Sequence, residues 1–366
     1  MKKNYFMLAA ATMMFAACAE TDLVNEVNVE EAPKAIEFES FANKTTRAEI
    51  ASLTNLQAAG FQVWGYKYPK NEDIVWEDVY SEAEEGKEPE LVTKKSETIF
   101  NGVNATYSTT WRHDGTPQYW NDAYKYNFYA VAPKDPATGA EYFITKGNIA
   151  ITGVASAKST ASADYLIAKA VEGREGTNKT DAVEFEFSHI MSKISINLKA
   201  GVKEDIVVTS LKMSGWNNAT GIFTQNSNVE WTFTNGEKNT SGEFDFVGSG
   251  TSNTTLALNK DMTTLSTVTD TYIMVPQEIA AKTLKFTITY KIIRGVADDS
   301  ENRPSNDLDD EVFTKQEGTL QTAQTWAKNT HTTYTITVSP AEIKFNVANN
   351  HDFRWGSTPD VPTPIQ

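Results

Sequence analysis

Apolar and polar side chains alternate along much of this chain, the two-residue period of a strand with one buried face. From Val183 to His189, the residues Val183, Phe185, Phe187 and His189 share one side. Alternation resumes at Ile194, Ile196 and Leu198, which predicts a bulge between the two runs. Residues 61–68 and 125–132 read as aromatic-rich strands, the second stopped by Pro133, which cannot donate to a ladder. Further strands are expected at 206–213, 230–233, 271–276, 284–292, 334–339 and 343–348. Strands this short and Thr-rich, separated by Gly, Asn, Asp and Pro, favour antiparallel β-sandwiches. No long amphipathic helix competes, and residues 159–171 read equally well as helix or strand.

Two distant strands share a pattern. Ala35–Ser40 reads AIEFES and Glu342–Val347 reads EIKFNV, so each sets Ile, a charged residue and Phe in a row. With 366 residues, the chain exceeds what one hydrophobic core usually spans, and two domains are expected. The turn-rich stretch Glu172–Asp181 marks the boundary, giving domains at 48–178 and 179–349. A second polar stretch, Gly295–Glu311, reads as a long loop between strands, and residues 350–366 form a C-terminal tail.

The formal net charge is −15, with no basic stripe, which argues against a nucleic-acid partner. The histidines at 113, 189, 331 and 351 lack the mutual spacing of a zinc site, and no metal or cofactor is expected. His189 reads as a satisfied strand residue. Asp307, Asp309, Asp310 and Glu311 lack the glycine and ligand order of a calcium loop. No nucleophile elbow or phosphate-binding glycine motif is present, so the sequence gives no support to an enzyme. The aromatic turn holding Trp111, Tyr119 and Trp120 could stack on sugar rings, or its rings could close the end of a sandwich core.

The N-terminus carries its own signal. Lys2 and Lys3 precede an apolar run, Phe6 to Ala17, of about a dozen residues, too short for a membrane-spanning helix and suited to a signal peptide over 1–17. The run ends at Cys18, the sole cysteine, preceded by two alanines. This resembles a bacterial lipoprotein box, in which Cys18 is acylated and anchors the chain to a membrane. Residues 19–34 are polar and unpatterned and read as a tether, within a segment 18–47 that also carries the Ile36/Phe38 strand.

Taken in order, the lipobox, AIEFESFANKTTRA, YKYNFYAVAP, DYLIAKA, VEFEFSHIMSKISINL, YIMVPQ and YTITVSPAEIKFNV resemble the fimbrillin family, the subunits of type V pili. The resemblance implies an all-β protein of two transthyretin-like sandwiches in tandem. It also implies a surface fimbria subunit, exported to the outer membrane as a lipoprotein and serving in cell adhesion. A trypsin-like protease would cut between Arg47 and Ala48, removing the strand of Ile36 and Phe38. Another subunit's C-terminal strand would then fill the gap by donor-strand exchange. Ile343, Phe345 and Val347 are the candidate donors, with residues 351–356 of the tail as the rival segment. Implied partners are other fimbrial subunits, the outer membrane through the lipid, and host or bacterial surface ligands. The alternatives are a surface glycan-binding lipoprotein using Trp111, Tyr119 and Trp120, or an accessory subunit at the tip or anchor.

Overall fold

The computed structural model describes residues 34–41, 52–82, 88–177, 181–236, 241–293, 311–340 and 343–350. Cys18, Arg47, Ala48, the loop 295–310 and the tail beyond Asn350 lie outside the described residues. Among the described residues strands dominate, and the one α-helix is Leu53–Ala59, started by the Ser52 side chain accepting from the Asn55 amide.

The first sheet runs in the order Phe38–Phe41, Val183–His189, Leu166–Ala168, Tyr124–Ala132, Phe61–Pro69, Glu97–Tyr107 and Trp111–His113; Val171–Glu175 also pairs with Tyr124–Ala132. Tyr124–Ala132 is buried on both faces from Tyr126 onward, which explains its largely apolar character, and the buried Asn127 accepts hydrogen bonds from the Tyr68 hydroxyl and the Gly173 amide. Tyr126, Phe128, Ala130 and Ala132 enter one core with Ile36, Phe38, Phe61, Phe100, Trp120, Phe185 and Phe187. Tyr129 and Val131 face a different core on the other side.

The second half of the chain packs two sheets face to face. One holds Ala157–Lys158, Tyr272–Met274, Ser192–Ala200, Thr330–Val338 and Lys344–Asn350 in that order, with Ser266–Thr267 pairing Ser192–Ala200. The other holds Ser241–Val247, Asp205–Asn217, Lys285–Ile293 and Glu311–Thr319, with Leu256–Leu258 pairing Asp205–Asn217. Between them lies a core that includes Ile194, Ile196, Leu198, Phe286, Ile288, Tyr290, Tyr334 and Ile336. The strands flanking the polar loop, Lys285–Ile293 and Glu311–Thr319, pair antiparallel as the sequence suggests.

The structure corrects one sequence expectation and adds detail at two other stretches. The bulge expected after His189 is a change of sheet: Val183–His189 belongs to the first sheet and Ser192–Ala200 to the second, with Ile190 and Met191 buried in the core between. After the stretch 172–181 the chain is again in the first sheet, in Val183–His189. The first residues of that stretch pair with Tyr124–Ala132, and at Gly176 an added Cβ would stand 1.9 Å from the Asn121 carbonyl oxygen, so only glycine allows this approach. The ambiguous stretch 159–171 resolves into a single 3-10 turn, Ala161–Ala163, followed by the strand Leu166–Ala168.

Strands from the two halves also pair directly. Glu141–Thr145 and Asn148–Val154 form one sheet with Gly221–Thr224 and Trp231–Phe233, and Ala157–Lys158 pairs with Tyr272–Met274. The core beneath this small sheet draws Trp64, Tyr129, Ile149 and Ile151 from before residue 160 and Phe223, Ile273 and Val275 from after 220.

Candidate functional site

Residues 34–41 lie at the edge of the first sheet, and from Ile36 to Ser40 they alternate: Ile36, Phe38 and Ser40 point inward, at 1%, 3% and 7% exposure, while Glu37 and Glu39 face solvent. Phe38–Phe41 runs parallel to Val183–Glu186, with Phe38 opposite Val183 and Glu39 opposite Glu184. The Val183 amide donates to the Glu37 carbonyl at 2.8 Å. Upstream, the segment turns to a second wall: Ile36 donates to the Gln118 carbonyl at 2.8 Å and Trp120 donates to the Lys34 carbonyl at 3.1 Å. The segment thus lies in a groove between residues 118–120 and Val183–Glu186.

The floor of this groove is aromatic. The Phe38 ring centroid lies 5.4 Å from Phe100, 5.6 Å from His113, 5.8 Å from Phe185 and 6.2 Å from Phe128. The pairs with Phe100, His113 and Phe128 are edge-to-face, a geometry that adds about 0.5–1.5 kcal/mol to simple burial, and Phe185 is tilted. His113 Nδ1 is buried without a hydrogen bond of ordinary geometry. Burial pulls the His113 pKa below its usual value, against the Asp114 carboxylate and the Gly115 backbone, which act in the opposite direction. Ser40 Oγ is likewise buried and has no partner among the described residues.

Arg174 braces both walls. Its guanidinium lies 4.7 Å from the Trp120 ring centroid, and it donates to the carbonyls of Ala182, at 2.9 Å, and Asp181. Sequence reasoning placed Arg174 in a linker and passed over it. Nothing local marks it, because its partners come from opposite sides of the groove.

The proposed sugar platform is not assembled. Trp120 is buried against Tyr126 and Phe128 at 4.8 and 5.9 Å, with Arg174 over its face. Trp111 is half-buried against Phe61 at 4.6 Å and Tyr107 at 5.3 Å. Of the three, Tyr119 alone is exposed, at 52%. The amphipathic rings of Trp111 and Trp120 close the core, the second of the two roles open to them.

The candidate donor residues are seated in their own sheet. Lys344–Asn350 forms the edge strand beside Thr330–Val338, Phe345 opposite Ile336 and Val347 opposite Tyr334. Phe345 and Val347 are buried and Ile343 half-buried. Phe345 meets Phe286 at 5.1 Å, and a Cβ added at Gly318 would approach its ring to 2.5 Å.

Elsewhere, His189 is buried with Nδ1 2.9 Å from Asp164 Oδ1, the satisfied strand residue that the sequence suggests. Among the described residues no cluster of three His, Cys, Asp or Glu could hold a metal, and no helix is long and apolar enough to cross a membrane.

A family model described as fimbrillin-like matches residues 74–350. No curated protein matches the chain by sequence. A solved fimbrial protein from Bacteroides vulgatus is 20% identical with a TM-score of 0.60, covering 87% of this chain and 98% of its own. A candidate cell adhesion protein from Bacteroides uniformis is 14% identical with a TM-score of 0.46, covering 88% of this chain and 98% of its own. The C-terminally truncated tip fimbrial protein Mfa3 from Porphyromonas gingivalis is 10% identical with a TM-score of 0.34, covering 82% and 96%. At 20% identity, the first likeness is one of fold.

Proposed function

The chain belongs to the fimbrillin-like family, and from that premise we propose that it is a fimbria subunit that polymerises at the cell surface by strand exchange. The observation that carries this reading is the seat of residues 34–41. Their inward side chains fill an aromatic groove, yet the strand is held at a sheet edge by one ladder and a few bonds to residues 118–120. Parallel ladders are slightly weaker per residue than antiparallel ones. Removing such a strand opens a ready-made acceptor, since it leaves unpaired backbone groups beside an apolar trough. Burial of Ile36 and Phe38 contributes roughly 1.5–3 kcal/mol each before ordering costs, and a guest strand recovers the same.

In this reading Cys18 carries the lipid that holds the precursor at the outer membrane, and cleavage between Arg47 and Ala48 frees the groove. Arg47 falls between the plug strand, which ends at Phe41, and the helix that begins at Leu53. Trypsin treatment of the full chain should shorten it at Arg47 and yield oligomers on size-exclusion chromatography. A product that stays monomeric after mass spectrometry has verified the cut refutes the reading.

A second reading is favoured by one specific observation. Lys344–Asn350 already completes its own sandwich, which suits an accessory subunit that accepts a strand and donates none. Cleaved protein by itself would then stay monomeric and take up one separately added donor subunit, whereas a stalk subunit lengthens into chains.

A further inference from the structure

We propose that the strand Leu91–Thr93 carries a two-fold contact through which two copies of this chain associate side by side. The contact lies apart from the groove of residues 34–41 and does not rest on the strand-exchange reading. Val79–Tyr80 and Leu91–Thr93 pair antiparallel as a two-stranded ribbon, and no other described strand joins either edge. Such ribbons are marginal in water unless a further strand or a covering element adds to them. Four large apolar side chains nevertheless stand out in solvent on this one ribbon: Val79, Tyr80, Leu91 and Val92 are 49%, 56%, 49% and 66% exposed. An open edge with apolar side chains is a template for another strand.

The charges around the Leu91–Thr93 edge specify which strand it accepts. Glu88 and Glu90 precede it, and Lys94 and Lys95 follow it. All four are exposed, and no ion pair engages their side chains among the described residues. Laid antiparallel about Val92, the segment Glu90–Lys94 is its own complement: Val92 meets its counterpart, Leu91 meets Thr93, and Glu90 meets Lys94 at both ends. Opposite charges directly across a ladder attract and like charges repel. A parallel pairing in register would set Glu90 against Glu90 and Lys94 against Lys94, so the same charges reject it. Pro89 has no amide hydrogen to donate and ends the ladder just beyond Glu90.

The ribbon's other edge fails this test. Val79–Tyr80 stands between carboxylates, Asp78 before it and Glu82 after it, and a second copy would bring the same sign to both ends. The internal ladder of the ribbon also skips Val92, which has no residue opposite it on Val79–Tyr80. A bulged residue is left unpaired by its own ladder. The centre of the two-fold contact is therefore the position that the ribbon itself satisfies least. An interface on a two-fold axis closes after two copies and does not run on into a fibre. The net charge of −15 on each copy opposes approach at long range, so the contact is weak between free copies and is favoured where copies are crowded on one surface.

The test uses the uncut full-length chain carrying Cys18→Ser, so that neither the native thiol nor an emptied groove contributes. Val92→Cys then sets one thiol of each copy beside the two-fold axis. A short bis-maleimide should capture dimers about tenfold faster than with Val229→Cys, each rate being divided by that of a mono-maleimide; Val229 is similarly exposed, at 61%. Adding Glu90→Lys or Lys94→Glu to Val92→Cys should slow capture, because each sets like charges opposite one another at both ends. The two together should restore it, because the swapped pattern is again self-complementary. Equal capture at the two cysteine sites overturns the proposal, as does a rate indifferent to the swaps or a paired swap that fails to restore it. A rate that follows net charge alone, raised by Glu90→Lys and lowered by Lys94→Glu, overturns it as well.

Discussion

Truncating Phe38 separates a plug that can leave its seat from a strand integral to the core. The ring is 3% exposed and meets four others within 6.2 Å, so Phe38→Ala in a rigid interior would cost about 3–5 kcal/mol. That figure assumes that the strand stays in place around the cavity. If residues 34–41 can dissociate locally, the loss is capped at the free energy of seating them, and the rest of the sheet keeps its stability. Hydrogen exchange read by mass spectrometry distinguishes the two cases. Amides at the groove walls, Trp120 and Val183, donate to Lys34 and Glu37 and should lose protection in Phe38→Ala. Amides of Phe61–Pro69, three strands beyond Val183–His189, should remain as slow as in the wild type. Phe128→Ala is the control, because Phe128 is fully buried in the central strand Tyr124–Ala132, and it should accelerate exchange throughout the first sheet. Unchanged protection at Trp120 and Val183 in Phe38→Ala, or a uniform loss matching that of Phe128→Ala, would show that the segment is not a separable unit.

Other perturbations probe the groove walls. Arg174→Ala should destabilise by about 2–4 kcal/mol in urea melts, since it removes a partly desolvated cation–π contact and charge-assisted bonds to two carbonyls; an effect below about 0.5 kcal/mol would remove it from the groove's support. His113 has a folded-state pKa held below its unfolded value near 6.5, so the unfolded chain takes up the proton first. Its contribution is therefore complete above about pH 7 and is lost as pH falls through 6.5 toward the lower folded pKa. His113→Gln should flatten the stability profile between pH 7.5 and 5, and an unaltered slope would refute that assignment.

Much of this fold was legible because burial imposes its period on the side chains. Val183–His189 alternates throughout and Thr330–Val338 does so from Tyr334, and both are strands with one face to a core. The alternation of Ile36 and Phe38 likewise announced a buried edge. What escaped was information that depends on distant partners. Ile190 and Met191 look like any apolar continuation of a strand, and only the third core shows that the chain changes sheets there. The pairing of Gly221–Thr224 with Asn148–Val154 has no local signature, since the two ladders meet across about seventy intervening positions. Glu172–Asp181 misled for the opposite reason: charge and glycine usually mark a linker, but here Arg174 and Gly176 are fitted against Trp120 and Asn121. The Ser40 hydroxyl escaped too, because its burial without a partner among the described residues shows only once the chain is folded.

The strand Val183–His189 flanks the groove and leads through Ile190 and Met191 into Ser192–Ala200, at the centre of the second sandwich. In the strand-exchange reading, a guest lying beside Val183–Glu186 in the resident strand's parallel register would be pulled along its own axis when a filament is stretched. Tension would then reach all rungs of the ladder in shear, rather than opening them one at a time like a zipper, and would pass on through one continuous backbone to the other half of the molecule. Mechanical toughness would thus follow from which strand borders the trough, without any covalent bond between neighbours.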